Sequence, residues 1–192
     1  MRKIVLSIPI TIDGYIEGPH QELDWVVADD EMHDYFTQQL KQADLLIFGR
    51  VAYQLLASYW PTAASDPHMT RSELDFANTI NPLPKIVYSR TLESVGWNTQ
   101  IKREFQPEEI MELKAQSGGN IALSGGAAIA QAFLRHGLVD EIQMVIQPAA
   151  IGNGKALFGG LSDTIKLKYA WKQEFASGIV ALCYHLDGKP KI

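Results

Sequence analysis

Short apolar runs alternate with amphipathic stretches along this chain, a pattern that predicts strands joined by helices in an α/β domain. Four runs, Ile4–Ile10, Leu45–Phe48, Lys85–Tyr88 and Ile121–Leu123, are too short for helices and mostly carry β-branched residues. They read as strands buried on both faces. Between them the period changes. Asp29, Asp30 and Glu31 place carboxylates where a helix dipole is positive, and Met32, Phe36 and Leu40 follow on one face. Thr70 and Glu73 make a capping-box pattern ahead of Leu74 and Ala77. Pro107, Glu108 and Glu109 open a third helix with Ile110 and Leu113 turned inward; a fourth runs from Ala127 to His136 and closes on Gly137. In the C-terminal third, Ile165, Leu167, Tyr169 and Trp171 alternate with Lys166, Lys168 and Lys172, which predicts a strand with one wet face. Ser177-Gly178 turns it into a second strand, Ile179–Leu186. The sum is a single α/β domain over residues 1–192: a mixed, mostly parallel sheet flanked by helices, with a C-terminal antiparallel hairpin.

Composition narrows the function classes. With 46% hydrophobic and 20% charged residues, 192 residues suffice for one ordinary core. Asp and Glu number 22 against 17 Lys and Arg, a net charge of -5. That argues against a general nucleic-acid or acidic-membrane binder, which needs excess cations to neutralise phosphates. One or two placed arginines still permit a specific anion site. A single cysteine, Cys183, excludes an internal disulfide framework and any Cys-based zinc site. The apolar run after Arg2 and Lys3 contains Pro9 and ends at Thr11 and Asp13 without a small-residue cleavage site. No run approaches the roughly 20 apolar residues of a bilayer span. The chain reads as soluble and cytoplasmic.

The candidate chemistry lies at strand-to-helix junctions, where open α/β sheets bind ligands against free helix N–H groups. Leu45–Phe48 runs into Gly49-Arg50, Lys85–Tyr88 into Ser89-Arg90-Thr91, and Ile121–Leu123 into Ser124-Gly125-Gly126. The last pair of glycines, ahead of Ala127 and Ala128, lets phosphates approach backbone N–H groups without a Cβ in the way. A tight turn with no ligand explains Gly125-Gly126 equally well. The dinucleotide fingerprint and the P-loop are both absent. Arg50 and Arg90, each just past a buried strand, can grip a phosphate bidentately or stand solvated at a helix start. Three such strand ends together point to a ligand with several phosphates, and a dinucleotide with an extra 2′-phosphate fits. The loop Thr11-Ile12-Asp13-Gly14-Tyr15-Ile16-Glu17-Gly18 leaves the same sheet edge; it reads as a flexible cover over a reactive ring or as a plain Asp-Gly turn.

Other features reduce to structure. His20, His33, His68, His136 and His185 lack ligand spacing, so no metal is expected. Cys183 reads as a core residue, and no Gly-x-Ser-x-Gly elbow is present. Trp25, Tyr35, Tyr59 and Trp60 could wall a pocket for a planar heterocycle or simply fill the core. Lys155, in the turn Gly152-Asn153-Gly154-Lys155, could touch a phosphate.

These segments, in order, resemble a family. Thr11-Ile12-Asp13-Gly14-Tyr15-Ile16, Phe48-Gly49-Arg50-x-x-Tyr53, Pro84-Lys85-Ile86-Val87-Tyr88-Ser89-Arg90-Thr91-Leu92, Leu123-Ser124-Gly125-Gly126, Gly137-Leu138-Val139-Asp140-Glu141 and Gly152-x-Gly154-Lys155-x-Leu157-Phe158 are similar to the motifs of dihydrofolate-reductase-like proteins. The nearest pattern is the reductase domain of the bifunctional riboflavin-biosynthesis deaminase-reductase. The zinc-deaminase signature of the full enzyme is missing, so the chain resembles a stand-alone reductase domain. The resemblance implies a dihydrofolate-reductase-like three-layer fold and NADPH as cofactor, held by Gly49, Arg50, Ser89, Arg90, Ser124, Gly125, Gly126, Ala127 and Ala128. Val51 and Ala52 stand where relatives often carry Lys or Thr. Thr11, Asp13, Gly14 and Ile16 would line the nicotinamide and substrate side. It further implies a cis Gly125–Gly126 bond, a homodimer, and hydride delivery to a C=N or ribosylamino group of a pyrimidine or pterin-like substrate, of the 5-amino-6-(5-phosphoribosylamino)uracil type. Candidates for an acid are Asp13, Glu31 and Asp34, with Asp30 beside them, although the position matching the folate-reductase acid falls nearer His33. Folate reduction and a non-catalytic NADPH-binding sensor or scaffold are the alternatives.

Overall fold

The predicted apolar runs find one another as neighbours in a single sheet, because each carries a full row of backbone donors and acceptors that burial leaves unpaired otherwise. The computed structural model describes residues 1–186. Along the chain lie β1 (Ile4–Thr11), β2 (Tyr15–Glu17), α1 (Asp30–Leu40), β3 (Ala43–Gly49), α2 (Arg50–Ala57), α3 (Trp60–Ala63), α4 (Arg71–Ile80), β4 (Lys85–Tyr88) and β5 (Thr99–Lys102). Then follow α5 (Pro107–Ala115), β6 (Asn120–Leu123), α6 (Ala127–Arg135), β7 (Glu141–Gln147), β8 (Lys155–Ala156), β9 (Leu167–Glu174) and β10 (Val180–Leu186). Eight strands form the main sheet in the order β5-β4-β3-β6-β1-β7-β10-β9, and β2 pairs with β8 apart from it. From β5 to β7 every pairing is parallel; β10 joins β7 and β9 antiparallel.

Alternation along the central strands creates the layers. In β3, Leu45 and Ile47 join the core that contains Ile110 of α5 and Phe133 of α6, whereas Leu46 and Phe48 join the core with Leu40 of α1 and Phe76 of α4. A period of two thus sends consecutive apolar residues to opposite helical layers. A third cluster, with Met32 and Tyr35 of α1 against Val145 and Ala181, closes the antiparallel end.

Helix starts follow their local chemistry. The Asp29 carboxylate accepts from Met32 N at 2.8 Å, and Thr70 and Glu73 form a reciprocal capping box at the head of α4. Pro107 occupies the first turn of α5, where its missing N–H costs nothing. Lys85 opens β4 with an ammonium that is almost wholly buried. It donates to the carbonyls of Ile80 (2.8 Å), Leu83 (2.7 Å) and Asn81 (3.3 Å) and lies 4.2 Å from the Trp97 ring. It holds the C-terminus of α4 against the strand. Burial pushes its pKa down to about 8.

Two differences from the expectation lie in the main sheet. Residues Thr99–Lys102 form the edge strand β5, which the pattern does not announce because the segment is half-exposed and only Ile101 is apolar. In the hairpin, Cys183 pairs with Trp171 but Tyr184 pairs with Tyr169, leaving Ala170 as a bulge. The bulge breaks the period of two, and Tyr169, expected on the buried face, is 55% exposed. No helix among the described residues is long and apolar enough to cross a membrane.

Candidate active site

A cleft of about 740 Å³ opens along the middle of β1 and beyond the carboxyl end of β6. Its floor is Ser7, Ile8 and Pro9 of β1 with Ser124, Gly125 and Gly126. Met32, His33 and Phe36 of α1 form one wall, and Ala52, Leu55 and Leu56 of α2 another. Trp60, Phe76 and Ile80, with Leu23 and Val26 from the segment after β2, complete the lining. This is the size of a small-molecule site.

The glycine turn is where two junctions meet. Gly125 and Gly126 have φ of +88° and +95°, a backbone that L side chains rarely adopt. A Cβ on Gly125 would stand 3.0 Å from Ala52 Cβ, and one on Gly126 3.3 Å from Gly49 Cα. Gly49 N donates to Gly125 O at 3.3 Å, so the turn heading α2 and the turn heading α6 touch. The implied cis bond is not there: no peptide among the described residues is cis. Two successive positive-φ glycines reverse the chain with a trans bond instead.

Both helices begin on glycine, Gly49 and Gly126, and neither has a side-chain cap. Their first N–H groups are therefore available to an anion, with the dipoles adding to the attraction. Arg50 leads α2 on the surface, its Nη1 donating to the neutral Gln54 Oε1 at 2.8 Å. Ala127 is buried and Ala128 exposed at the head of α6.

The β4 junction is built differently. Ser89 is buried, and its Oγ accepts from Leu92 N at 3.0 Å and Thr91 N at 3.2 Å. Arg103 Nη1 donates to the carbonyls of Ser89 and Leu92, tying the turn down. Arg90 points to solvent, and neither it nor Ser89 lines the cleft. Arg103 carries no motif that would have flagged it.

The loop after β1 is stapled, not free. Thr11 Oγ1 accepts from Tyr15 N at 2.9 Å, and the Asp13 carboxylate accepts from Gly152 N at 2.7 Å and Ile151 N at 3.2 Å. The Thr11 hydroxyl and the Gly152 N–H hold the Asp13 carboxyl below its usual range. Gly14, at φ +90°, turns the chain into β2, which pairs with β8. Of Thr11, Asp13, Gly14 and Ile16, only Ile16 lines the cleft.

The acidic candidates on α1 are engaged elsewhere. Asp30 accepts from the hydroxyls of Ser72 and Thr70, which lower its pKa; Glu31 Oε2 accepts from Ala176 N at 2.7 Å; Asp34 is exposed. None of them lines the cleft. His33 does. It is buried, packed edge-on to Trp60 at 5.9 Å and tilted against Phe76 at 6.0 Å, and its Nδ1 has no hydrogen-bond partner. Glu17 of β2 also lines the cleft and is paired with Lys155. The sequence marked His33 only as the position nearest the folate-reductase acid, and Glu17 only as part of the loop after the first strand. The spacing of His33 with Phe36 and Leu40, three and then four residues, was the available sign that His33 shares the apolar face.

The model of the RibD C-terminal domain matches residues 2–181. The chain belongs to that family. Among its relatives is the uncharacterised protein YyaP of Bacillus subtilis (strain 168), 35% identical over 187 residues, covering 97% of this chain and 96% of that one. A solved protein from Shewanella sp. PV-4, named for riboflavin biosynthesis, superposes with a TM-score of 0.74 at 23% identity, covering 97% of this RibD C-terminal domain and 99% of that chain. Dihydrofolate reductase from Enterococcus faecalis, complexed with NADP(H), shares the fold at a TM-score of 0.61 and 12% identity, covering 97% of each chain. The family is that of the RibD reductase domain, an oxidoreductase family, and the fold is dihydrofolate-reductase-like. Among the described residues, no group of three or more His, Cys, Asp and Glu is placed to hold a metal ion.

Proposed function

We propose that this domain is an NADPH-dependent reductase of the riboflavin-biosynthetic type, acting on a C=N or ribosylamino group of a pyrimidine or pterin-like ring. The observation that carries the reading is the meeting of two uncapped helix N-termini at Gly49 and Gly126, beside an apolar cleft of ring-accommodating size. Capless helix starts leave donors that a pyrophosphate satisfies. Arg50, exposed at the head of α2, supplies a guanidinium without a carboxylate partner among the described residues, suited to a 2′-phosphate. The residues therefore fit the cofactor, with Gly49, Arg50, Ser124, Gly125, Gly126, Ala127 and Ala128 as its holders. When bound, the reduced nicotinamide supplies hydride.

The chain's own share is alignment and dryness. Ile16, Leu23 and Val26 give the lining apolar surface, against which a bound ring is shielded from water. Asp13 acts on the frame: by holding Ile151 and Gly152 it fixes the strand that carries Ile16. Calorimetric titration with NADPH and NADH tests the reading. NADPH-selective binding supports it, and failure of both cofactors to bind overturns it. NADPH oxidation with a pterin or a ribosylaminopyrimidine separates a reductase from a silent binding protein.

A further inference from the structure

Asn153 and Gly154 form an Asn-Gly pair in the turn between β7 and β8. Asn153 is exposed, and Gly154 N donates to no backbone carbonyl among the described residues. Such a pair is reactive in water. The short Asn side chain reaches neighbouring backbone groups, and glycine has no Cβ to shield its nitrogen. The other asparagines lack these conditions. Asn78, Asn98 and Asn120 precede the branched Thr79, Thr99 and Ile121, and Asn81 precedes Pro82, which has no N–H at all. The chemically related pair Asp13-Gly14 lies across the same staple and is held. Gly14 N donates to Thr11 O at 3.0 Å, and the Asp13 carboxylate accepts from Gly152 N and Ile151 N.

We propose that Asn153 is a site of spontaneous covalent modification, and that its conversion to isoaspartate loosens the frame made by β2, β8 and Asp13. Gly154 N gives its proton to solvent and attacks Asn153 Cγ. A C–N bond forms, the C–N bond to the side-chain amide breaks, and the amide nitrogen leaves as ammonia with a proton from solvent. Water then opens the cyclic imide at either carbonyl, leaving aspartate or isoaspartate. One water enters, one ammonia departs, and nothing is oxidised or reduced.

The fold makes the product consequential. Isoaspartate routes the main chain through the side chain and lengthens it by one carbon just before Gly154. That residue is pressed onto β2, where a Cβ would collide with Glu17 O. Only Lys155 and Ala156 of β8 pair with β2, so little ladder resists a shift. The product also sets a carboxylate one residue from the Gly152 N–H that Asp13 holds, and like charges repel. Ile16 sits on β2 and lines the cleft, so the disturbance reaches the site. This inference does not depend on the reductase reading.

The test ages the whole chain in mildly alkaline buffer, natively and in urea. Peptide mass mapping locates amide-to-acid conversion, and an isoaspartyl methyltransferase with S-adenosylmethionine counts isoaspartate. Conversion is expected at Asn153 ahead of Asn78, Asn81, Asn98 and Asn120, at a native rate comparable to that in urea, and absent from position 153 in Asn153→Gln. Conversion at that site in urea but not in the native protein overturns the proposal, as does an even spread over all the asparagines. Ion exchange then separates the converted protein by its added charge. Amide exchange at Ile151 and Gly152 should be at least about fivefold faster in it than in fresh protein. Asn153→Asp, which adds the charge without the extra carbon, should show a smaller increase. Unchanged exchange in the isoaspartate form overturns the loosening of the frame.

Discussion

Gly125→Ala separates two physical reasons for a glycine at the floor of the cleft. The first is backbone: at φ +88° an alanine pays about 1–2 kcal/mol that glycine does not. The second is space: the new Cβ lies 3.0 Å from Ala52 Cβ on α2, tighter than nine in ten real Cβ contacts, and overpacking of this kind adds about 1 kcal/mol or more. Together the loss is roughly 2–4 kcal/mol, a fall in melting temperature of about 5–15 °C for a chain of this length. Ala52→Gly alone costs about 1 kcal/mol, as glycine does inside a helix. In the double variant the steric term disappears while the backbone term stays. The two changes should therefore couple favourably by about 1 kcal/mol, well above the few tenths within which independent sites add. Urea unfolding of the four proteins measures this directly. Additivity across the cycle would refute the claim that the α2 and α6 junctions are packed against each other at this point. The same variants should also lose NADPH affinity in calorimetry, since the glycine turn is the proposed seat of its phosphates.

Arg50→Ala should weaken NADPH several-fold more than NADH, because only NADPH carries the 2′-phosphate; calorimetry with both cofactors decides, and an equal loss removes Arg50 from that role. Lys85→Met should destabilise the protein by about 2–4 kcal/mol in urea unfolding, since it strips three carbonyls near the end of α4 of their donor. The same lysine gives a signature in alkali. Its folded pKa of about 8 lies below the ordinary 10.5, so the unfolded chain binds more protons between those values, and this group's contribution to stability rises with pH across that window. The rise should be missing in Lys85→Met. Asp13→Asn probes a shift of the same sign at the acid end. Its folded pKa is lowered from 3.8, so its contribution is present above that value and lost as pH falls through the folded one; the stability difference between wild type and variant should vanish in acid. Amide exchange at Ile151 and Gly152 should quicken in the same variant.

The frame was legible wherever one physical demand dominates. Strands buried on both faces must be continuously apolar, so β1, β3, β4 and β6 are visible in the chain; capped helices reveal themselves through Asp29, Thr70 and Pro107. The edge strand β5 has no such demand. Its one face is wet and its residues Thr99, Gln100, Ile101 and Lys102 carry no period to read. The bulge at Ala170 depends on pairing with β10, a tertiary event that the alternation of Leu167, Tyr169 and Trp171 does not encode. For the site, the junction glycines were legible because positive φ and close approach both select glycine. Which polar residue faces the cleft was not. Asp30, Glu31, His33 and Asp34 follow one another on α1 within two turns, and only the packing of Trp60 and Phe76 decides that His33 turns inward while the acids find hydroxyls, a backbone N–H or solvent.

The position of β1 has a consequence for the order of assembly. Ile4 pairs with Ile121 on one side, and Thr11 with Gln147 on the other, so both flanking strands lie more than a hundred residues downstream. At the usual pace of synthesis, about 5–20 residues per second, that separation is on the order of ten seconds. Throughout that interval Ile4, Leu6, Ile8 and Ile10 have no neighbours to pair with, while β3 and β4 already have each other. The strand at the centre of the finished sheet is thus an early product and a late arrival. A nascent chain halted before β6 should expose it to chaperones, and one halted after β7 should not.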